Sequence, residues 1–137
     1  MRALLEPAIR GEPVVIDDPL LVWRGGDEFV DARDAAAGAV AGLFAEHPQS
    51  RVYSIGTGVL HSFEDFVRAA GEAVPGLRVE VRVKPSGGFA GYRYLRPQPS
   101  DIGAAKRELG WAPQYDLTAI MSECAAFLTG HRNAERP

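Results

Sequence analysis

Between a short β-rich run and a helical segment lie Gly56-Thr57-Gly58-Val59-Leu60-His61, the outline of a GxGxxG turn, which lays a pyrophosphate on a helix amino terminus. His61 stands where the third glycine belongs. Glu80 sits near the distance of the acidic residue that holds a ribose hydroxyl in such sites, although charged residues are common enough to give that spacing little weight. Arg78, Arg82 and Arg93 recur beside Tyr92 and Tyr94, a mixture able to stack and neutralise a single nucleic-acid strand. Asp31 and Asp34 form a carboxylate pair in outline, but Asp34 opens an alanine-rich helical segment and reads as its cap. His47, His61 and His131 share no spacing that sets two ligands on one face, so no metal site is expected.

The whole chain narrows these options. Its 137 residues, 46% hydrophobic and 24% charged, fit one ordinary globular domain. Eighteen acidic against fifteen basic residues leave a net charge of -3, interspersed rather than blocked, which argues against nucleic acid as a partner. Cys124 is the single cysteine, so an intramolecular disulfide is excluded and a reducing, cytoplasmic setting is expected. Apolar runs are far shorter than a bilayer span, and no membrane association is expected.

The elements that must position these residues are read from periodicity. A helix is expected over 2–10, ending at Gly11, followed by a hairpin of Val14–Ile16 and Leu20–Trp23. A short strand begins at Phe29 and leads into a helix capped by Asp34, with Val40, Leu43, Phe44 and His47 on one face. Val52–Ile55 reads as a strand. Ser62 and Asp65 form an approximate capping box for a helix that buries Phe63, Phe66, Val67, Ala70 and Val74 and stops at Pro75 and Gly76. Residues 77–84 alternate strictly, the pattern of a half-buried strand. Residues 85–100, with three glycines and three prolines, read as a long surface loop. Asp101 and Asp116 cap the last two helices, the second carrying Leu117, Ile120, Met121, Cys124, Phe127 and Leu128. Trp111 and Tyr115, flanking Pro113, are expected to seal the joint between them.

Four stretches in order resemble the carboxy-terminal part of an extended short-chain dehydrogenase/reductase, the NAD-dependent epimerase/dehydratase family. Arg10-Gly11-Glu12-Pro13-Val14 is similar to that family's "GEP" segment, and Glu28-Phe29-Val30-Asp31-Ala32-Arg33-Asp34-Ala35-Ala36 to its "DFVHVDDVA". Tyr53-Ser54-Ile55-Gly56-Thr57-Gly58 resembles "YNIGSG". Asp101-Ile102-Gly103-Ala104-Ala105-Lys106-Arg107-Glu108-Leu109-Gly110-Trp111 resembles "DISKAKRELGW". The resemblance implies an α/β fold: partial Rossmann-like sheet strands with flanking helices, plus the small substrate-binding lobe. It also explains Gly56-Thr57-Gly58 as a structural turn.

The same resemblance implies chemistry that this chain cannot complete. The family uses a YxxxK pair, its lysine lowering the tyrosine pKa, and here Tyr53, Tyr92, Tyr94 and Tyr115 are followed four residues on by Thr57, Arg96, Gln98 and Ala119. No catalytic residue is therefore assigned. An arginine fork suits the diphosphate of a nucleotide sugar. Where the family carries arginine in "RDFV" this chain has Asp27-Glu28-Phe29-Val30, leaving Arg24, Arg93 and Arg96 as substrate-binding candidates against the plain reading of solvated surface side chains.

The expectation is a fragment-like, single substrate-binding domain over 1–131 with a disordered tail over 132–137. It would be part of an NAD(P)-dependent nucleotide-sugar epimerase, dehydratase or reductase, not catalytically competent alone. NAD or NADP would belong to the complete enzyme, and none to this chain by itself. Its partners would be a missing amino-terminal dinucleotide-binding half and a nucleotide sugar, with a homodimer expected; standing alone without its parent sheet, the chain would leave Val14–Ile16 and Val52–Ile55 uncovered and should dimerise to bury them. The alternative is a stand-alone, non-catalytic ligand-binding or dimerisation module.

Overall fold

The computed structural model describes residues 1–134, and side chains as far as Gly130. Eight residues of helix α1 (Arg2–Ile9) lead through Gly11, at φ 75°, into strand β1 (Val14–Ile16). Helix α2 (Ala32–Leu43) and helix α3 (Phe63–Ala73) follow, then strand β2 (Val79–Val81), a single 3-10 turn at Phe89–Gly91, and helices α4 (Gly103–Leu109) and α5 (Leu117–Ala134). The result is the mixed α/β architecture that the periodicities imply.

The hairpin does not form. β1 instead pairs in parallel with β2, Val14 opposite Val79 and Ile16 opposite Val81. The alternation of β1 explains why: Val14 and Ile16 are each 2% exposed against α1, α3 and α5, while Val15 faces water. Asp18 accepts from the Leu20 amide and turns the chain, after which Val22 and Trp23 enter the core as buried side chains instead of a ladder. Val14–Ile16 is therefore not an uncovered apolar face.

The larger core gathers Leu4, Leu5, Phe66, Ala70, Leu117 and Met121 between α1, α3 and α5. The capping box at the start of α3 is complete, with Ser62 Oγ accepting from the Asp65 amide and Asp65 accepting from the Ser62 amide. A smaller core of Ile102, Ala105 and Trp111 joins α4 to Ala41 of α2 and to Tyr53 and Ile55. Gly38 lets α2 approach that segment, since a Cβ there would come within 2.8 Å of the Ile55 side chain.

Three further readings are corrected. Asp31, not Asp34, caps α2 by accepting from the Arg33 amide, and Asp34 is 2% exposed and turned to another task described below. The face of α2 expected to be buried is outside: Val40, Leu43 and Phe44 are 55%, 77% and 75% exposed. Neither Phe29 nor 52–55 enters a ladder, although Asp27 and His61 make an isolated antiparallel bridge beside Phe29. At the other end, α5 passes through Gly130 and runs to Ala134, because one glycine costs a long helix only about 1 kcal/mol. Residues 135–137, the end of the expected tail, lie outside the described residues.

A carboxylate also fastens the smaller core. Glu108 accepts from Tyr53 Oη at 2.6 Å, from the Ser50 amide at 2.9 Å and from the Gln49 amide at 3.0 Å. These bonds, the Tyr53 hydroxyl first, hold its carboxyl down at about 2 against an ordinary 4.5. A depressed carboxyl contributes stability above its unfolded value and loses it as the pH falls through the folded one. Thermal midpoints should therefore fall between pH 4.5 and about 2, and Glu108→Gln should flatten that part of the curve; an unchanged slope in the variant would refute the assignment.

Candidate functional site

Two stretches of chain meet above a cluster of aromatic rings. Trp23 packs edge-on against Phe63, Phe66 and Phe89 with centroids 5.2–5.3 Å apart, and Phe29 closes the group. Phe89 comes from the long loop, which is tied to the first stretch by the Arg24 amide donating to Gly87 O at 2.9 Å. The loop then folds on itself through the Gly88 amide and Tyr92 O, leaving no room for a side chain at Gly87. Between 26–27 and 88–96 this leaves an open cavity of about 360 Å³, walled by Asp27, Phe89, Tyr92, Tyr94 and Arg96.

Arg96 is the candidate arginine that enters this wall. Its guanidinium lies 3.2 Å from Asp27 Oδ1 and 3.1 Å from Glu28 Oε2, and donates to Ser100 Oγ at 2.8 Å. Arg24 and Arg93 stand exposed on the two stretches that form the cavity but do not line it, and Arg93 lies 5.6 Å over the Tyr94 ring. The structure thus brings the three arginines to one region and puts one of them in the cavity.

Glu28 is the residue that sequence reasoning missed. Its side chain is 4% exposed and accepts from the Gly58 amide at 2.6 Å and the Ser100 amide at 2.9 Å, with Thr57 Oγ1 at 3.5 Å. Burial works to raise this carboxyl, but the Ser100 and Gly58 amides and the Ser100 hydroxyl outweigh it and hold the group below the usual carboxylate range. Gly56 is required because a Cβ would collide with the same carboxylate. The glycine turn is consequently an anion nest already filled from within the chain, which removes the pyrophosphate reading. A signal existed in the sequence: Asp27 stands where the resemblance led us to expect arginine, and a second acidic residue, Glu28, follows it with a glycine turn thirty positions on.

The chemistry available is recognition. Arg96 offers a planar cation, already partnered by Asp27, to any anion able to displace that carboxylate, and Tyr92 and Tyr94, 70% and 80% exposed, offer ring faces. Among the described residues no cluster of His, Cys, Asp and Glu is suited to a metal ion, and no helix is long and apolar enough to cross a membrane.

No family model matches the sequence. The fold is nevertheless similar to that of part of several solved nucleotide-sugar epimerases, as the sequence motifs imply. Among curated proteins, the UDP-glucose 4-epimerase of Neisseria meningitidis serogroup C is 28% identical over 121 residues, 85% of this chain and 34% of that protein. Among solved structures, UDP-N-acetylglucosamine 4-epimerase from Bacillus cereus superposes with a TM-score of 0.69 at 18% identity, over 93% of this chain and 42% of its own. UDP-glucose 4-epimerase from Bifidobacterium longum, solved with NAD+ and UDP, gives 0.63 at 16% identity, over 95% of this chain and 40% of its own. The chain thus spans about a third of the length of the curated relative it matches.

Proposed function

We propose that this chain is the carboxy-terminal, substrate-binding portion of an NAD(P)-dependent nucleotide-sugar epimerase, dehydratase or reductase. Proton and hydride transfer would depend on an amino-terminal dinucleotide-binding half, which would also hold the NAD or NADP. The observation that carries this reading is the similarity itself: nearly all of this chain matches only 34–42% of epimerases, and the matched length contains no YxxxK pair. In this role Arg96 meets the diphosphate, Arg24 and Arg93 add positive charge at the rim, and Tyr92 and Tyr94 flank the base or sugar. Cytoplasmic residence follows from the same role, since nucleotide sugars are the substrates.

Calorimetric titration with UDP-glucose and UDP-N-acetylglucosamine tests it. Binding is expected, weakened about tenfold or more by Arg96→Ala, the scale of one charge-assisted hydrogen bond. Turnover of either sugar by the purified chain with NAD+ or NADP+ would defeat the non-catalytic part of the reading, and binding unaffected by Arg96→Ala would defeat the site. A second reading, a stand-alone module that homodimerises, is favoured by one observation, the exposure of large apolar side chains: Val52 at 81%, and Leu43 and Phe44 at 77% and 75%. Light scattering that gives a monomer at all concentrations removes it.

A further inference from the structure

Among the described residues Arg96 is the one cation lining the cavity between 26–27 and 88–96, and two carboxylates meet it, Asp27 at 3.2 Å and Glu28 at 3.1 Å. Glu28 is enclosed and is also held by the Gly58 and Ser100 amides. Asp27 is different. Its side chain is 25% exposed, and its Oδ1 accepts from the Glu28 amide at 2.8 Å as well as from Arg96. Its Oδ2 has no hydrogen-bond partner among the described residues. The position of Asp27 is set by its backbone bridge to His61: the Asp27 amide donates to His61 O at 3.0 Å and the His61 amide to Asp27 O at 2.8 Å. The carboxylate therefore stays in the cavity wall when Arg96 turns to a ligand.

A phosphate that takes Arg96 leaves this carboxylate unmatched beside it, and like charges at such spacing repel. The charge is matched again when the same ligand brings a cation. An ammonium suits the place: it has three donors, Asp27 Oδ2 accepts one, and Tyr92 and Tyr94 line the same cavity with ring faces that attract a cation. We infer that the site selects a nucleotide sugar whose sugar carries a protonated amine close to the diphosphate, Arg96 taking the phosphate oxygens and Asp27 the ammonium. This rests on the reading above that the cavity holds a nucleotide sugar, and it makes Asp27 a specificity-determining residue. In a 2-amino sugar the ammonium stands on the carbon next to the one that bears the diphosphate, so the two ligand charges are neighbours, as Arg96 and Asp27 are. A hydroxyl or an acetylated amine at that carbon has no charge and leaves Asp27 uncompensated.

The test is calorimetric titration of the chain with UDP-glucosamine, UDP-glucose and UDP-N-acetylglucosamine at a pH where the free amine is protonated. UDP-glucosamine should bind about tenfold or more tighter than the other two, the scale of a charge-assisted hydrogen bond. Asp27→Asn keeps an oxygen for the Glu28 amide and the backbone bridge to His61, so it should melt close to the parent chain. It should weaken UDP-glucosamine, tighten UDP-glucose and so erase the preference. Asp27→Ser removes the same charge with a smaller side chain and should act alike, which keeps the test open if the first variant does not fold. Equal affinities of the parent chain for the three ligands, or a preference for the amine that survives either substitution, would overturn the inference. The two proposals separate cleanly: three ligands bound equally and all weakened by Arg96→Ala sink the charge pairing and leave the substrate-binding role standing, whereas no binding of any of them sinks both.

Discussion

Asp34→Ala is expected to lower the stability of this chain by about 3 kcal/mol, the scale for stranding buried amides that had bonded a charged group. The Asp34 carboxylate is enclosed and accepts from two consecutive amides, those of Gln114 and Tyr115, each at 3.0 Å. Its own backbone oxygen receives Trp111 Nε1 at 3.0 Å. One residue at the start of α2 thereby fixes both ends of the turn that leads into α5. Alanine would keep the backbone contact with Trp111 and lose the two amide bonds, while Asp34→Asn would keep one acceptor oxygen and should lose roughly half as much. Urea unfolding followed by Trp fluorescence reads the difference. A midpoint for Asp34→Ala equal to that of the parent chain would show that Asp34 is merely enclosed and not a clamp.

That clamp marks where sequence reasoning stops. Local rules located what local physics decides: the capping box of Ser62 and Asp65, and Asp116 accepting from the Ala119 amide. They also placed the apolar faces of α3 and most of α5 in the core. They failed wherever the partner lies far along the chain. Asp34 has the type and position of a cap, and nothing nearby says that residues eighty positions away need its oxygens more. Val14–Ile16 and Leu20–Trp23 have the turn of a hairpin between them, yet β2, more than sixty residues on, offers β1 the better edge. Val40, Leu43 and Phe44 share a face as periodicity requires, and periodicity cannot say whether the surface that covers the face belongs to this chain.

The candidate site was legible to the same degree. Resemblance chose Arg24, Arg93 and Arg96, and the fold gathers the stretches that carry them, because the Arg24 amide bonds Gly87 and the loop returns over Phe89. What the sequence concealed is the state of Arg96. Two carboxylates hold its guanidinium, so an incoming anion must compete with Asp27, which is partly open to water, while Glu28 is enclosed and stays. If the cavity binds a nucleotide sugar as proposed, it would discriminate by charge: a neutral sugar would gain nothing from displacing Asp27, and a diphosphate would gain a bidentate partner.

Glu28→Ala should therefore have the second large effect, on the order of 2–3 kcal/mol in stability, from the Gly58 and Ser100 amides left without an acceptor. Three segments meet on this carboxylate, the stretch before α2, the glycine turn before α3 and the end of the long loop, so the loss should be felt most where the loop is tethered. Limited proteolysis is expected to cut within 85–100 faster in the variant than in the parent chain. Glu28→Gln retains an acceptor for the Gly58 amide but not the charge facing Arg96, and should fall between the two. The parent chain adds a check on sign: the Glu28 carboxyl is held below its ordinary 4.5, so its contribution is present above that pH and is lost on acidification, and Glu28→Gln should be less sensitive there. Equal cleavage rates in the loop for the parent and Glu28→Ala would mean that Arg96 and the aromatic rings alone keep the cavity in shape, and that Glu28 only fills the turn.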